Sequence, residues 1–206
     1  MALDTYANLS TAIGSWEERT FTTAETDEFI LLVEANANLK LASDFRRRGS
    51  ATINLDSSGV GTLPTSFIGM VSLTRDVAGS LPLKQVSHAA LIERNPYEIS
   101  DDAEVFALLS ATSLQVAPVT DDNYLAVYST VVPALSASNT TNWLLTLAPH
   151  YYLFGCQAAA AAKWKAYEEA ALLDAKANAI LDQVISQGNV AEYGNAEMTM
   201  PYYAVV

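Results

Sequence analysis

The sequence predicts an α+β protein: a helical bundle interrupted by a β-rich insertion and followed by an extended C-terminal tail. Three observations carry this. The N-terminal part holds two stretches with apolar residues at helical spacing. After Gly49 the pattern changes to short alternating runs separated by Gly, Ser, Asp and Pro. From Trp143 to about Gln187 almost every residue is helix-compatible. Segregated elements of this kind favour α+β over an alternating α/β order. Residues 1–48 and 134–188 would then form one discontinuous helical domain, 49–133 the insertion, and 189–206 the tail.

The first helix is read from Tyr6, Leu9, Ile13 and Trp16, with Asp4 placed to cap it. The second starts at a capping-box pair, Thr22 and Glu25. Its stripe is Phe29, Val33, Ala37, Leu41 and Phe45, and it is expected to run to about Asp44. Arg46 and Arg47 would follow at its C-terminal end, where cations suit the helix dipole. In the insertion, Ile53 and Leu55 alternate with polar neighbours before the turn cluster Asp56–Gly59. Residues 67–76 read as a further strand and 88–95 as a short helix stopped by Pro96. The apolar runs 103–111 and 113–119 read as strands. In 123–135, Tyr124, Ala126, Tyr128 and Thr130 face one way, Leu125, Val127 and Val131 the other. Both sets are mostly apolar, so this strand is expected to be central.

Residues 136–143 read as a cap leading into helix. Pro149 must start a new helix or kink the old one, because it lacks an N–H and clashes with the preceding turn. Beyond it, Ala166, Ala170, Leu173, Ala177, Ile180 and Val184 recur at steps of four and three, a narrow seam suited to close helix packing. Gly188 is expected to end the helix. The segment after it is apolar and aromatic at its tip and is expected to be held by a partner, for example by adding a strand to a neighbouring sheet.

Composition narrows the function. Half of the 206 residues are hydrophobic and only 17% are charged, against ~25% in ordinary soluble domains. Such a chain is expected to be covered by packing or by partners. The net charge of −12 argues against gripping nucleic acid, which needs a basic patch to displace counterions. One cysteine, Cys156, permits no intrachain disulfide. No targeting segment is expected at the N-terminus.

Chemistry is sparse. His88 and His150 lack a second His or Cys at metal-ligand spacing. The chain has no G-x-S-x-G, P-loop, G-x-G-x-x-G or C-x-x-C motif. Asp101-Asp102 and Asp121-Asp122 lack the surrounding ligands of a cation site. No catalytic residue, metal or cofactor is therefore expected, and His150 is read as a packed or capping residue. The Arg46–Arg48 triplet has two readings: a solvated helix end, or a patch docking on a neighbour's carboxylates.

Residues 123–162 carry no Asp, Glu, Lys or Arg. Residues 143–162 have the ~20-residue length of a membrane span. Pro149, His150, Gln157 and five consecutive alanines argue against insertion, and no basic residue flanks the N-terminal side to orient one. Burial against protein is left.

Two stretches resemble a known family. The opening matches Met1, Ala2, Leu3, Tyr6, Ala7, Leu9, Trp16 and Arg19 of a pattern found in head-to-tail adaptors of tailed bacteriophages. The second match is Pro133, Leu135, Ser136, then Asn142-Trp143-Leu144-Leu145, Pro149, Tyr152, Leu153 and Gly155. Leu63, Pro64 and Phe67 add a third, shorter one. His150 departs from the pattern, where an acidic residue is common.

The resemblance implies a structural virion protein without catalysis. It implies a homo-oligomeric ring, commonly dodecameric, beneath the portal protein. The ring would extend the channel for passing double-stranded DNA, without sequence-specific binding, and offer a platform to tail or nozzle proteins. No membrane partner is implied. The chain would reside at the head–tail interface of the virion, and in the host cytoplasm during assembly. A negative charge suits a channel along which DNA must slide. The candidate interface residues are Arg46, Arg47, Arg48, Asn142 and Trp143, with Met198, Met200, Pro201, Tyr202 and Tyr203 in the tail. The competing readings are another virion ring component, such as a tail-tube or tail-terminator protein, and a small hydrolase or ligand-binding enzyme centred on His150.

Overall fold

The computed structural model describes residues 3–42, 44–94, 103–120 and 122–194. It is α+β, as the sequence predicts. The elements begin with α1 (Tyr6–Trp16), α2 (Thr23–Lys40) and a 3-10 turn (Phe45–Arg47). Next come β1 (Arg48–Asn54), β2 (Val60–Thr62), β3 (Phe67–Arg75), β4 (Lys84–Gln85), α3 (His88–Glu93), β5 (Val105–Ser110), β6 (Ser113–Ala117) and β7 (Asn123–Thr130). The chain returns to helix in α4 (Trp143–Leu147), α5 (Pro149–Lys163) and α6 (Tyr167–Tyr193). Contacts divide it into two compact units, Met1–Arg46 with Val132–Val206, and Arg47–Val131.

In the helical unit both ends of the chain supply one core. Leu9 and Ile13 of α1, Phe29, Ile30 and Ala37 of α2, Leu144 and Leu145 of α4, Tyr151, Tyr152 and Cys156 of α5, and Leu181 of α6 are all buried in it. Local sequence explains the helix starts. Thr22 and Glu25 form the reciprocal capping box on α2. Asn142 caps α4, its side-chain oxygen accepting from the Leu145 N–H at 2.7 Å. Pro149 opens α5, where its missing N–H costs nothing. Gly155 lets α5 approach α2: a Cβ there would lie 2.7 Å from Val33 Cγ2.

Five local expectations are corrected. Thr5, not Asp4, caps α1, and Asp4 instead accepts from the Asn8 side chain at 2.6 Å. Trp16 lies outside the buried stripe, 62% exposed. Helix α2 stops at Lys40 rather than near Asp44. The long C-terminal helix is broken at residues 164–166, where Lys165 takes φ +63°. That left-handed residue lets the Ala166 N–H reach back to the Ala161 carbonyl and close α5. Finally, Gly188 does not end α6, which continues to Tyr193, so residues 189–193 are helix rather than extended tail. Gly188 is the next buried position on the α6 seam after Val184. A Cβ there would meet Arg46 Nη2 at 2.6 Å and Asp44 Oδ2 at 2.9 Å, so glycine serves close approach and not termination.

In the β-rich unit, β7 is the central strand of an antiparallel sheet ordered β1-β7-β3. The second sheet is ordered β2-β6-β5-β4, with only the β4–β5 pair parallel. Ile53, Leu73, Tyr124, Ala126 and Tyr128 of the first sheet and Phe106, Leu114 and Val116 of the second share one core. Tyr124, Ala126 and Tyr128 are the face that alternation assigned. Val105, Ala107 and Ala117 project the other way and pack with Leu91 of α3.

Candidate assembly surfaces

The most specific sequence motif builds a closed polar node. The Asn142 amide nitrogen donates to the Pro133 carbonyl at 2.7 Å and to Tyr152 Oη at 2.8 Å. Tyr152 in turn donates to Glu34 Oε1 at 3.2 Å, which also accepts from the Leu135 N–H at 2.9 Å. Both donors and the acceptor of Asn142 are therefore used. Burial raises the Glu34 carboxyl above its usual range, while hydrogen bonds from Leu135 and Tyr152 oppose the shift. Burial also pushes the Tyr151, Tyr152 and Cys156 groups upward. The node ties the chain entering α4 to α2 and α5. It is a structural device, and its reach from position 34 to 152 could not be read from local pattern.

The arginine triplet is divided among different tasks. Arg46 forms a forked pair with Asp44 through Nε and Nη2, both at 3.0 Å, and Nη2 also donates to the Val184 carbonyl at 2.8 Å. Its guanidinium lies 5.4 Å from the Trp143 ring centroid, so Trp143 is held by this contact. Arg47 is 1% exposed, its Nε donating to the Thr130 carbonyl at 2.6 Å while Thr130 Oγ1 donates back to the Arg47 carbonyl. Neither arginine is a solvated helix end. Arg48 alone is exposed, at the start of β1. Met198, Met200, Pro201, Tyr202 and Tyr203 lie outside the described residues.

His150 is exposed at the start of α5, with its ring stacked on Phe154. The adjacent cavity of about 220 Å³ is lined by Leu147, Pro149, Ile180, Gln183, Val184 and Gln187 among others, with no carboxylate or hydroxyl to orient an imidazole. Cys156 is buried in the core, as read. Among the described residues no cluster of three or more His, Cys, Asp or Glu could hold a metal. Among them, too, no helix is long and apolar enough to cross a membrane.

What the sequence reading missed is the second face of α2. Phe29, Ile30, Val33 and Ala37 fill the core, yet Leu31, Leu32, Ala35 and Leu39 form an apolar stripe on the opposite side. Leu31 is 64% and Leu39 80% exposed. These apolar side chains share the outer side of the helix with Asp27, Glu28 and Lys40. The available signal was the unbroken apolar run 29–33, too long for one face of a helix. On α6, Leu172, Val190 and Tyr193 are likewise exposed.

No curated protein matches this chain. A family model described as SU10 adaptor protein matches residues 4–200. That span takes in the Asn142 node, the Asp44–Arg46 pair and both faces of α2. The chain therefore belongs to the SU10 adaptor protein family, a phage head-to-tail adaptor family, and is a structural component of the virion.

Proposed function

We propose that this adaptor closes into a ring, dodecameric as the resemblance implies, between the portal protein and the tail. The ring continues the channel through which double-stranded DNA passes and carries the platform on which tail or nozzle proteins dock. The family match over nearly the whole chain is the observation that carries this reading. The outer stripe of α2 supports it. Exposed leucines in line along a helix suit a subunit contact, because interface cores are depleted in charge. Ring closure needs heterologous contacts, with different patches meeting on successive copies. Arg48, exposed and cationic in a chain of net charge −12, suits a contact with a neighbour's or the portal's carboxylates. The acidic balance keeps DNA from adhering to the channel wall.

The test is head-to-tail joining with a Leu31→Glu/Leu39→Glu variant, read by electron microscopy of particles. The expected result is folded protein, by circular dichroism, with filled heads left unjoined to tails. Normal joining by the variant would remove α2 from the ring contact. Normal joining in the absence of the protein would overturn the adaptor function itself.

A further inference from the structure

A groove of about 510 Å³ opens between α2, α5 and α6. Its floor is α5, where Gly155, Ala159 and Ala162 present little or no side chain, and its α6 wall is Ala170 and Ala171. Leu32, exposed on the outer side of α2, stands on the opposite wall. The rim is polar. Asn36 Nδ2 donates to Asn178 Oδ1 at 3.2 Å, and Asn178 Nδ2 donates to Asp174 Oδ2 at 2.9 Å. Small residues on floor and wall leave room for large side chains, because apolar layers fill space when large residues face small ones.

The chain supplies such side chains directly after α6. The described residues end at Gly194. Residues 195–206 follow, with Glu197 as their only charge and with Met198, Met200, Tyr202, Tyr203, Val205 and Val206 among them. Their reach matches the place of the groove. A helix rises about 1.5 Å per residue, so Asn178 lies roughly 24 Å and Ala170 roughly 36 Å back along α6 from Gly194. An extended chain covers about 3.3 Å per residue, which brings Tyr202 to roughly 26 Å and Val206 to roughly 40 Å. The apolar tip 202–206 therefore comes level with the groove when the chain turns back at Gly194. A seated tyrosine needs a partner for its hydroxyl, and the Asp174 carboxylate at the rim offers one. Methionine is flexible enough to fill an irregular gap beside it.

We propose that residues 195–206 fold back along α6 of the same chain and seat the 202–206 tip in this groove. A short tether holds the tip at an effective concentration of roughly millimolar order, which favours the chain's own groove over a neighbour's. Leu32 and the alanine floor are covered, while Leu31 and Leu39, the residues of the proposed ring contact, stay outside. The fold-back needs the helical unit alone and stands whether or not the ring reading does.

The test is NMR of the full chain with labelled alanine methyl groups. Cross-relaxation is expected between the ring protons of Tyr202 and Tyr203 and the methyls of Ala159, Ala162 and Ala171. None is expected between a methyl-labelled copy and a tyrosine-labelled copy in a mixed sample. Ala171→Phe, at an exposed position on the groove wall, fills the groove and is expected to lose these contacts with an unchanged circular dichroism spectrum. Chymotrypsin should then cut after Tyr202 and Tyr203 about tenfold faster than in the unaltered chain, because cleavage follows the undocked fraction. No contacts in the unaltered chain, contacts only between copies, or equal cleavage of the two proteins would each overturn the proposal. The measurement needs no portal and no tail, so its failure would leave the adaptor reading intact.

Discussion

Two polar clusters lie within one helical unit, and they teach different things. Around Asn142 every donor and acceptor of the buried amide has a partner, and the cluster ends on a carboxylate that two donors hold. At Gln157 an equally buried amide has an oxygen with no hydrogen-bond partner among the described residues. The chemistry of the side chains is nearly the same, so the difference lies in closure. A closed network specifies a fold, whereas an unanswered buried acceptor subtracts from its stability. The Asn142 residues, the most family-specific of the chain, accordingly serve the fold.

The comparison can be broken most directly at Asn142. Asn142→Ala removes the α4 cap and leaves Tyr152 Oη and the Pro133 carbonyl each short of a donor. A loss of about 2–4 kcal/mol is expected in chemical denaturation. A loss below 1 kcal/mol, on the scale of an ordinary surface substitution, would mean the node is not closed in solution. The mirror experiment is Gln157→Leu, which exchanges an unanswered oxygen for methyl groups. It is expected to raise stability by about 1–2 kcal/mol in chemical denaturation. A destabilised variant would show that the amide has partners in solution.

Smaller effects sharpen the same contrast. Glu18 sits at φ +51° just past α1, with the Arg19 N–H bonded to the Gly14 carbonyl. That position favours glycine, so Glu18→Gly should gain about 1 kcal/mol in thermal unfolding. A loss instead would mean the Glu18 side chain holds the turn. The smallest effect is in pH dependence. The folded Glu34 value is raised, so its contribution is fully present below the unfolded value of 4.5 and lost as pH rises through the folded one. Glu34→Gln, which can still accept from Leu135 and Tyr152, should flatten that upper limb. Glu25 has the opposite sign: Lys163 and the Thr22 cap hold it at about 2. Its contribution is present above 4.5 and fades as pH falls toward 2. Lys163→Met should therefore move the acid limb upward.

Legibility followed the range of the interaction. The Thr22–Glu25 box, a cap within residues 136–143 and the Pro149 start were readable because three or four residues decide them. The central place of β7 was readable from its two apolar faces. The break at Lys165 was not, because a lysine, and no glycine or proline, takes the left-handed turn there. Gly188 misled for the converse reason: the residue type matched a helix end, but its role depends on Asp44 and Arg46, far away in sequence. The same distance hid the fates of Arg46, half-buried against Asp44 and the Val184 carbonyl, and of Arg47, which is buried. The second apolar stripe of α2 is visible in the sequence as Leu31, Leu32, Ala35 and Leu39.

The proposed role is that of a closed ring at the head–tail joint, and single-particle electron microscopy of the purified protein mixed with its portal tests it. The expected result is a closed ring seated on the portal, with the Leu31, Ala35 and Leu39 face of each copy covered by its neighbour. Single copies dispersed on the portal, or a ring that leaves this face in solvent, would contradict it.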